Sequence, residues 1–293
     1  IMAIGVYLTY RILDVADLTV DGSLGTGGAV CVVMVLNGVP VGLALLAATA
    51  AGMLAGLVTG LFHTACGIPA ILAGILTQLA LYSVNLRIMG FGTGGGKANL
   101  PISVDKYSLL VSARYVRNVA LNNPILILVI FCAVLIAVLY WFFGTELGCS
   151  LRATGANQNM ARAQGINTNV AKVLGLMISN GLVALAGGLL AQYQGFSDIN
   201  MGRGAIVIGL AAVIIGEVIF SRIFRNFALK LLSAVIGAII YYIVMVFVLR
   251  LGLSTDDLKL LTALVVALFL TIPYWKGKYF TKTSVKKGEK NHA

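Results

Sequence analysis

Long apolar runs, separated by short polar segments, make up most of this chain. A helix needs roughly 20 consecutive apolar residues to cross a lipid bilayer. Seven runs approach or reach that length, and they cover residues 39–61, 68–86, 124–143, 173–197, 203–220, 231–249 and 260–275. The pattern therefore predicts an all-α polytopic membrane protein with about seven full transmembrane helices, of which the last is rather short.

The first 36 residues follow a different pattern. Residues 1–13 and 22–36 are both apolar, and we expect each to be too short to cross the bilayer alone. Glycines are frequent at the start of the second run, where they allow the backbone to break and re-form. We therefore expect a discontinuous element made of two half-helices.

Carboxylates are concentrated where these two short runs meet. Asp14 and Asp17 are three residues apart and would share one face of a helix. A broken helix can aim backbone dipoles at a polar solute near the middle of the bilayer. The candidate residues for a translocation pathway are therefore Asp14, Asp17, Asp21 and Ser23. An interfacial loop at a helix end, with Arg11 paired to an aspartate, is an equally good interpretation.

Composition supports a bilayer as the solvent. The chain has 293 residues, of which 59% are hydrophobic and 11% are charged, and its mean hydropathy is +0.98. Soluble domains carry about 25% charged residues. We expect one membrane domain over residues 1–275, followed by a basic tail over 276–293. The sequence opens within a hydrophobic pattern, which leaves open that residues upstream of Ile1 are missing.

Basic residues set the expected orientation. We expect a multi-pass protein of the plasma membrane. The tail carries six lysines and one glutamate, so the positive-inside rule places the C-terminus in the cytoplasm. Four spans separate the tail from segment 144–169, which is then cytoplasmic too. Loop 91–123 falls outside, although its four basic residues run against the rule. The net charge is +11, and we expect no nucleic-acid partner.

Small residues recur at every fourth position of run 39–61, at Ala48, Gly52, Gly56 and Gly60. They make one helix face nearly smooth, so that another helix can approach closely. Either a helix of the same chain or a second copy of the chain fits this face.

Residues 91–99, FGTGGGKAN, resemble a phosphate-binding loop only superficially. The Walker A pattern requires G-x-x-x-x-G-K-[ST]. With Gly96 and Lys97 aligned, Phe91 stands in place of the first glycine and Ala98 in place of the hydroxyl residue. We therefore expect no cofactor in this chain, and we find no pattern of a catalytic or metal site.

The polar segment RATGANQNMARAQGIN separates two apolar runs. Asn157 is a good N-cap, the residues from Gln158 to Gln164 are mostly good helix formers, and Gly165 can end a helix in the left-handed conformation. The pattern predicts a helix of about two turns, which is marginal unless its flanking spans or a partner hold it. Arg152 and Arg162 are also compatible with a simple positive-inside anchor.

LRATGANQNMARAQGIN and the following NVAKVLGLMISNGLVALAGGLLAQYQG resemble the permease subunits of ABC importers of the branched-chain amino acid and ribose class. The upstream DLTVDGSLGTGGA is similar to an early segment of that family. Residues 214–220 read IIGEVIF, where the sugar permeases have LGG, so the resemblance is closer to a branch linked to amino-acid uptake, including aromatic amino acids. The positions that match the family's coupling-helix pattern, with two neighbours, are Gly155, Asn157, Met160, Ala161, Arg162, Gly165, Ile166 and Asn167.

The resemblance implies a mechanism and a set of partners. Two permease chains, expected to be a homodimer, form the pathway, and a separate ABC ATPase subunit binds each coupling helix and holds ATP and Mg²⁺. An extracytoplasmic solute-binding protein delivers a small polar solute, for which an amino acid is the first expectation and a sugar or a nucleoside the alternative.

Two interpretations from other classes remain at this stage. An ion-coupled secondary transporter would place a proton or Na⁺ site at Asp14, Asp17, Asp21 or Glu217. A membrane enzyme would need a nucleophile and a base or a metal cluster, and two histidines with four scattered cysteines give it little support.

Overall fold

The computed structural model describes residues 1–91, 95–103, 107, 109–112, 123–220, 224, 226–250, 260, 262–264, 266–268 and 271. The basic tail at 276–293 and parts of loop 91–123 and of run 260–275 lie outside these residues. The glycine-rich segment 91–99 is described only in part.

Helices dominate the described residues. Two strands of three residues each add a short antiparallel ribbon that the sequence did not predict. In chain order the elements are α1 (Met2–Tyr7), a π-helical turn (Leu8–Ile12), α2 (Thr19–Leu36), α3 (Val41–Thr64), α4 (Ala70–Met89), β1 (Asn99–Pro101), α5 (Pro124–Phe143), α6 (Glu146–Ala156), α7 (Gln158–Ala163), α8 (Thr168–Gln194), β2 (Phe196–Asp198), α9 (Ala205–Phe220) and α10 (Phe227–Arg250).

Six of the helices in the described part of the chain are long and apolar enough to cross a membrane. Five of them, α3, α4, α5, α8 and α10, confirm predicted runs. The sixth is α2, which was predicted to be too short; it begins at Thr19 and reaches 18 residues. In contrast, α9 has 16 residues and is a shorter apolar helix rather than a full span. The chain is an all-α polytopic membrane protein.

The chain divides into two compact units, residues 1–209 and 210–293. In the first unit α8 is the central helix, since α1, α2, α3 and α6 all pack against it. In the second unit α10 packs closely on the later turns of α9, where Gly216 lies against the Ser233 backbone and Gly237 against Ala212. Whether residues 1–275 form one membrane domain stays a prediction.

The N-terminal helix α1 runs along α8 toward the beginning of α8. Ser179 Oγ donates a hydrogen bond of 2.7 Å to the Gly5 carbonyl oxygen. Further along the chain, Leu13 packs against Gly175, which is one turn closer to the N-terminus of α8. Residues 1–13 therefore descend antiparallel to α8.

Helix α2 runs along α8 in the opposite direction. Ser23 contacts Asn180, and Leu24 lies against Gly187, further toward the C-terminus of α8. The prediction of two half-helices that make up one crossing is therefore wrong. The chain reverses between Leu13 and Thr19, and the two helices form a hairpin against α8. The reversal includes Asp14, whose backbone has a φ of 54°, in the left-handed region.

The small-residue face of α3 packs on α8 within the first unit. Gly52 lies against Asn180 and Ala184, and Gly56 lies against the Leu176 carbonyl group. The two backbones approach so closely that a Cβ atom at Gly56 would overlap that carbonyl oxygen. Of the two interpretations of this face, the structure supports the intramolecular one.

Candidate functional site: the coupling segment and the network above it

Helix α7 is bounded as its sequence predicted. Asn157 is its N-cap, and the Asn157 side-chain oxygen accepts hydrogen bonds from the backbone N–H groups of Asn159 and Met160, at 3.0 and 3.1 Å. Gly165 follows its end with a φ of +81°. Ile166 N–H then donates to the Ala161 carbonyl oxygen at 3.0 Å, which closes the last turn.

The remaining members of the predicted coupling set tie α7 to α8 or face outward. Asn167 caps α8 by accepting from the N–H groups of Asn169 and Val170. Arg162 Nε donates to Thr168 Oγ1 at 3.0 Å. Ala161 is buried, whereas Met160 is 60% exposed. Helix α7 is therefore closed by hydrogen bonds at both ends and exposes the large apolar side chain of Met160.

Sequence reasoning missed a second helix in this segment. Thr145 caps α6, with its hydroxyl accepting a hydrogen bond from Gly148 N–H at 3.4 Å. This helix ends where α7 begins, at Asn157. A signal for it was present in the Thr145-Glu146 pair, because a threonine N-cap followed by an acidic first turn favours a helix start.

Segment 144–169, the predicted coupling segment, contacts the turn of the N-terminal hairpin directly. Gly155, near the end of α6, lies against the Ile12 carbonyl group, and a Cβ atom there would overlap that oxygen. The side chains of Leu13 and Leu151 both lie against Gly175 of α8. Helix α6 therefore lies in direct contact with residues 12–13.

A buried polar network begins just beyond that turn. Asp17 is 2% exposed, and its carboxylate accepts from Thr19 N–H at 2.9 Å and from Asn180 Nδ2 at 2.6 Å. The Asn180 oxygen accepts in turn from Ser23 Oγ at 2.6 Å. Within the described residues, Asp17 makes no ion pair, so these hydrogen bonds stabilise its burial.

Threonine hydroxyls continue the network across three helices. Thr19 Oγ1 and Thr59 Oγ1 are 2.8 Å apart, and Thr59 Oγ1 lies 2.9 Å from Thr77 Oγ1. All three residues are buried. Through Asp17, Asn180 and these threonines, the network joins α2, α3, α4 and α8.

The four predicted pathway residues have different surroundings. Asp17 and Ser23 meet on Asn180, within the network. Asp14 is exposed in the reversal, so the prediction that Asp14 and Asp17 share a helical face is wrong: neither residue is helical. Asp21 points elsewhere, and its carboxylate accepts from the N–H groups of Gly204 and Ile206, both at 2.9 Å, at the start of α9. A pathway role for these residues stays a prediction.

Comparison with known proteins points in one direction. Residues 1–272 match a family described as branched-chain amino acid transport system / permease component. The chain is 41% identical over 270 residues to the tyrosine transport system permease protein of Clostridioides difficile (strain R20291), across 92% of this chain and 86% of that protein.

Two further relatives extend the comparison. Uncharacterized protein RP368 of Rickettsia prowazekii (strain Madrid E) is 35% identical over 274 residues, which is 92% of each chain. The autoinducer 2 import system permease protein LsrC of Salmonella paratyphi B (strain ATCC BAA-1250 / SPB7) is 28% identical over 219 residues, 74% of this chain and 59% of that protein. No solved structure matches the chain significantly.

Proposed function

Since this chain belongs to the branched-chain amino acid/ribose-type family of ABC permeases, we propose that it is the membrane subunit of an ATP-driven importer that carries an amino acid into the cell by alternating access. The observation that supports this most is the capped helix α7, which exposes Met160 and whose neighbour α6 packs on the turn of the N-terminal hairpin. Such a helix suits a site where another protein applies force.

The proposed partner at α7 is a separate ABC ATPase subunit, which binds ATP and Mg²⁺. An apolar groove of about 340 Å³ beside the segment supports this assignment. Its wall includes Leu147 and Val170, each 59% exposed, together with Ile166. Exposed apolar side chains next to a rigid helix are typical of a protein docking surface.

In this proposal the movement passes from the ATPase to the spans by direct contact. The ATPase displaces α6 and α7, Gly155 transmits the displacement to Ile12, and the turn carries it to Asp17. The Asp17 network joins four helices, so a shift of this turn changes how these helices pack together. Packed elements with two discrete arrangements are the physical basis for such coupling.

An amino acid is the proposed solute. The relative with 41% identity is named for tyrosine transport, which favours an aromatic amino acid. The second candidate is a sugar or a nucleoside, since the likeness to a permease named for autoinducer 2 import shows that relatives of this chain are not all named for amino-acid transport. An extracytoplasmic binding protein would deliver the solute, and a second permease copy would complete the pathway. The C-terminus would be cytoplasmic.

The test is uptake of radiolabelled L-tyrosine into proteoliposomes that hold the permease with its cognate ATPase and binding protein. We expect uptake to require ATP and to persist when a protonophore is added. Met160→Asp should abolish uptake and ATPase copurification, while Met160→Leu, which keeps the side chain apolar, should retain both. Uptake that does not depend on ATP and is abolished by the protonophore would establish an ion-coupled transporter instead.

A further inference from the structure

A cavity of about 260 Å³, lined by both polar and apolar residues, lies between α2, α4 and the segment that follows β2. Its wall contains Asp21, Gly22, Gln78, Leu79, Tyr82, Asn85, Ile199 and Arg203. The cavity runs from the middle of α4 toward its C-terminal end, since Gln78, Tyr82 and Asn85 of that helix line it. It is separate from both the coupling segment and the Asp17 network.

The backbone beside this cavity is irregular at the depth of the spans. Residues 199–204 are not helical, and they run along α2 from Gly25, which lies near the Ile199 carbonyl group, to Asp21, against which Gly202 packs. Helix α9 then begins at Ala205, with Asp21 accepting two of the N–H groups at its start. Irregular backbone at membrane depth is tolerated where it is buried in protein or lines a polar cavity.

Asn85 supplies an independent sign of a ligand. It lines the cavity, it is 2% exposed, and in the described part of the chain its side-chain oxygen Oδ1 has no hydrogen-bond partner. A buried polar atom without a hydrogen-bond partner is costly and rare in native proteins, so such atoms usually have a role. The side-chain oxygen and nitrogen of an asparagine are interchangeable by rotation, so Asn85 can offer either an acceptor or a donor.

We propose that this cavity binds the zwitterionic backbone of a free α-amino acid. The Asp21 carboxylate contacts the ammonium group, the Arg203 guanidinium contacts the carboxylate, and the amides of Asn85 and Gln78 complete the hydrogen bonds. This inference rests on the proposed function, an amino-acid importer, and it adds the place where the permease itself contacts the solute.

Charge and size both fit this ligand. Each carboxylate oxygen of Asp21 accepts one hydrogen bond from a backbone N–H group. Each oxygen therefore has a second lone pair that can accept another hydrogen bond. A guanidinium binds a carboxylate through two parallel hydrogen bonds. The volume is below the range of about 300–1,000 Å³ that holds drug-sized ligands, which suits a single amino acid. The half-exposed ring of Tyr82 offers a face for an aromatic side chain.

The experiment measures ligand binding by saturation-transfer NMR on the permease–ATPase complex in nanodiscs, without the binding protein. The probes are L-tyrosine, tyramine, which lacks the carboxylate, and D-ribose. We expect L-tyrosine to bind more tightly than tyramine. Arg203→Gln should lower the affinity for L-tyrosine at least tenfold and leave the affinity for tyramine unchanged. Arg87→Gln is the matched control, because Arg87 is exposed on α4 and does not line the cavity. Asn85→Ala should also lower the affinity for L-tyrosine.

Each outcome bears on the proposal. Equal effects of Arg203→Gln on L-tyrosine and on tyramine would overturn the assignment of the guanidinium. If no probe binds while ATP-driven uptake of L-tyrosine is normal, the cavity is not the solute site and the proposed function stands. If D-ribose alone both binds and is taken up, the amino-acid function fails as well. Asp21→Asn is less informative, because Asp21 also holds the start of α9.

Discussion

Asn180 Nδ2 lies 2.6 Å from Asp17 Oδ2, although the two residues are 163 positions apart in the sequence. The same asparagine accepts from Ser23 at 2.6 Å and donates to the Leu176 carbonyl oxygen at 3.0 Å. One amide thus holds the turn of the N-terminal hairpin, the first turns of α2 and the middle of α8 together.

Asn180→Ala removes all three hydrogen bonds of this amide and leaves Asp17 and Ser23 buried with fewer partners. Each unsatisfied buried group costs about 1–3 kcal/mol, so we expect a clear loss of stability. Thermal unfolding in detergent measures it. Asn159→Ala is the control, because Asn159 is exposed on α7. The unfolding temperature of this variant should stay at the wild-type value. Equal stability of the two variants would show that the network contributes nothing.

Gly155→Ala introduces a Cβ atom into the contact between α6 and the Ile12 carbonyl oxygen. Overpacking of this kind costs about 1–3 kcal/mol and shifts the backbone. We expect ATP-driven uptake to fall sharply while the ATPase still copurifies, because α7 itself is unchanged. Ala156→Ser adds one atom at the exposed neighbouring position and should leave uptake intact. Normal uptake by Gly155→Ala would mean that this contact does not carry the movement.

Asn157→Ala removes the cap of α7, whose two hydrogen bonds hold a helix of six residues. Loss of an N-cap costs about 1 kcal/mol, which corresponds to roughly a fivefold change in an equilibrium. We expect the affinity for the ATPase, measured by surface-immobilised binding, to fall about fivefold. Asn157→Ser keeps a capping oxygen and should bind nearly as the wild type does. A tenfold loss in both variants would point instead to direct contact between Asn157 and the partner.

Gly56→Ala places a methyl group between α3 and the Leu176 carbonyl oxygen of α8. The same substitution at Gly42, on the same helix, meets open space within 4 Å. Alanine favours a helix interior over glycine by about 1 kcal/mol, so a loss of stability in Gly56→Ala would be due to packing. We expect Gly56→Ala to lower the unfolding temperature in detergent and Gly42→Ala to preserve or raise it. The reverse order would contradict the packing of α3 on α8.

The sequence by itself determined five of the long helices and the two ends of α7. Apolar runs of the length of a bilayer identified α3, α4, α5, α8 and α10, because lipid requires every backbone hydrogen bond to be satisfied within the helix. Asn157 and Gly165 marked the ends of α7, because capping depends on the chemistry of single residues and their neighbours. The small-residue spacing in α3 predicted a close helix contact but not its partner.

Only the tertiary structure decided which polar residues meet. Asp14, Asp17 and Asp21 are close in sequence, yet one is exposed, one is held by Asn180, and one holds the start of α9. The cavity draws Gln78, Asn85 and Arg203 from distant segments to Asp21. Local patterns cannot encode these meetings, since they depend on how the hairpin packs on α8 and how α4 and the segment after β2 pack on α2. Packing of this kind is a property of the whole unit.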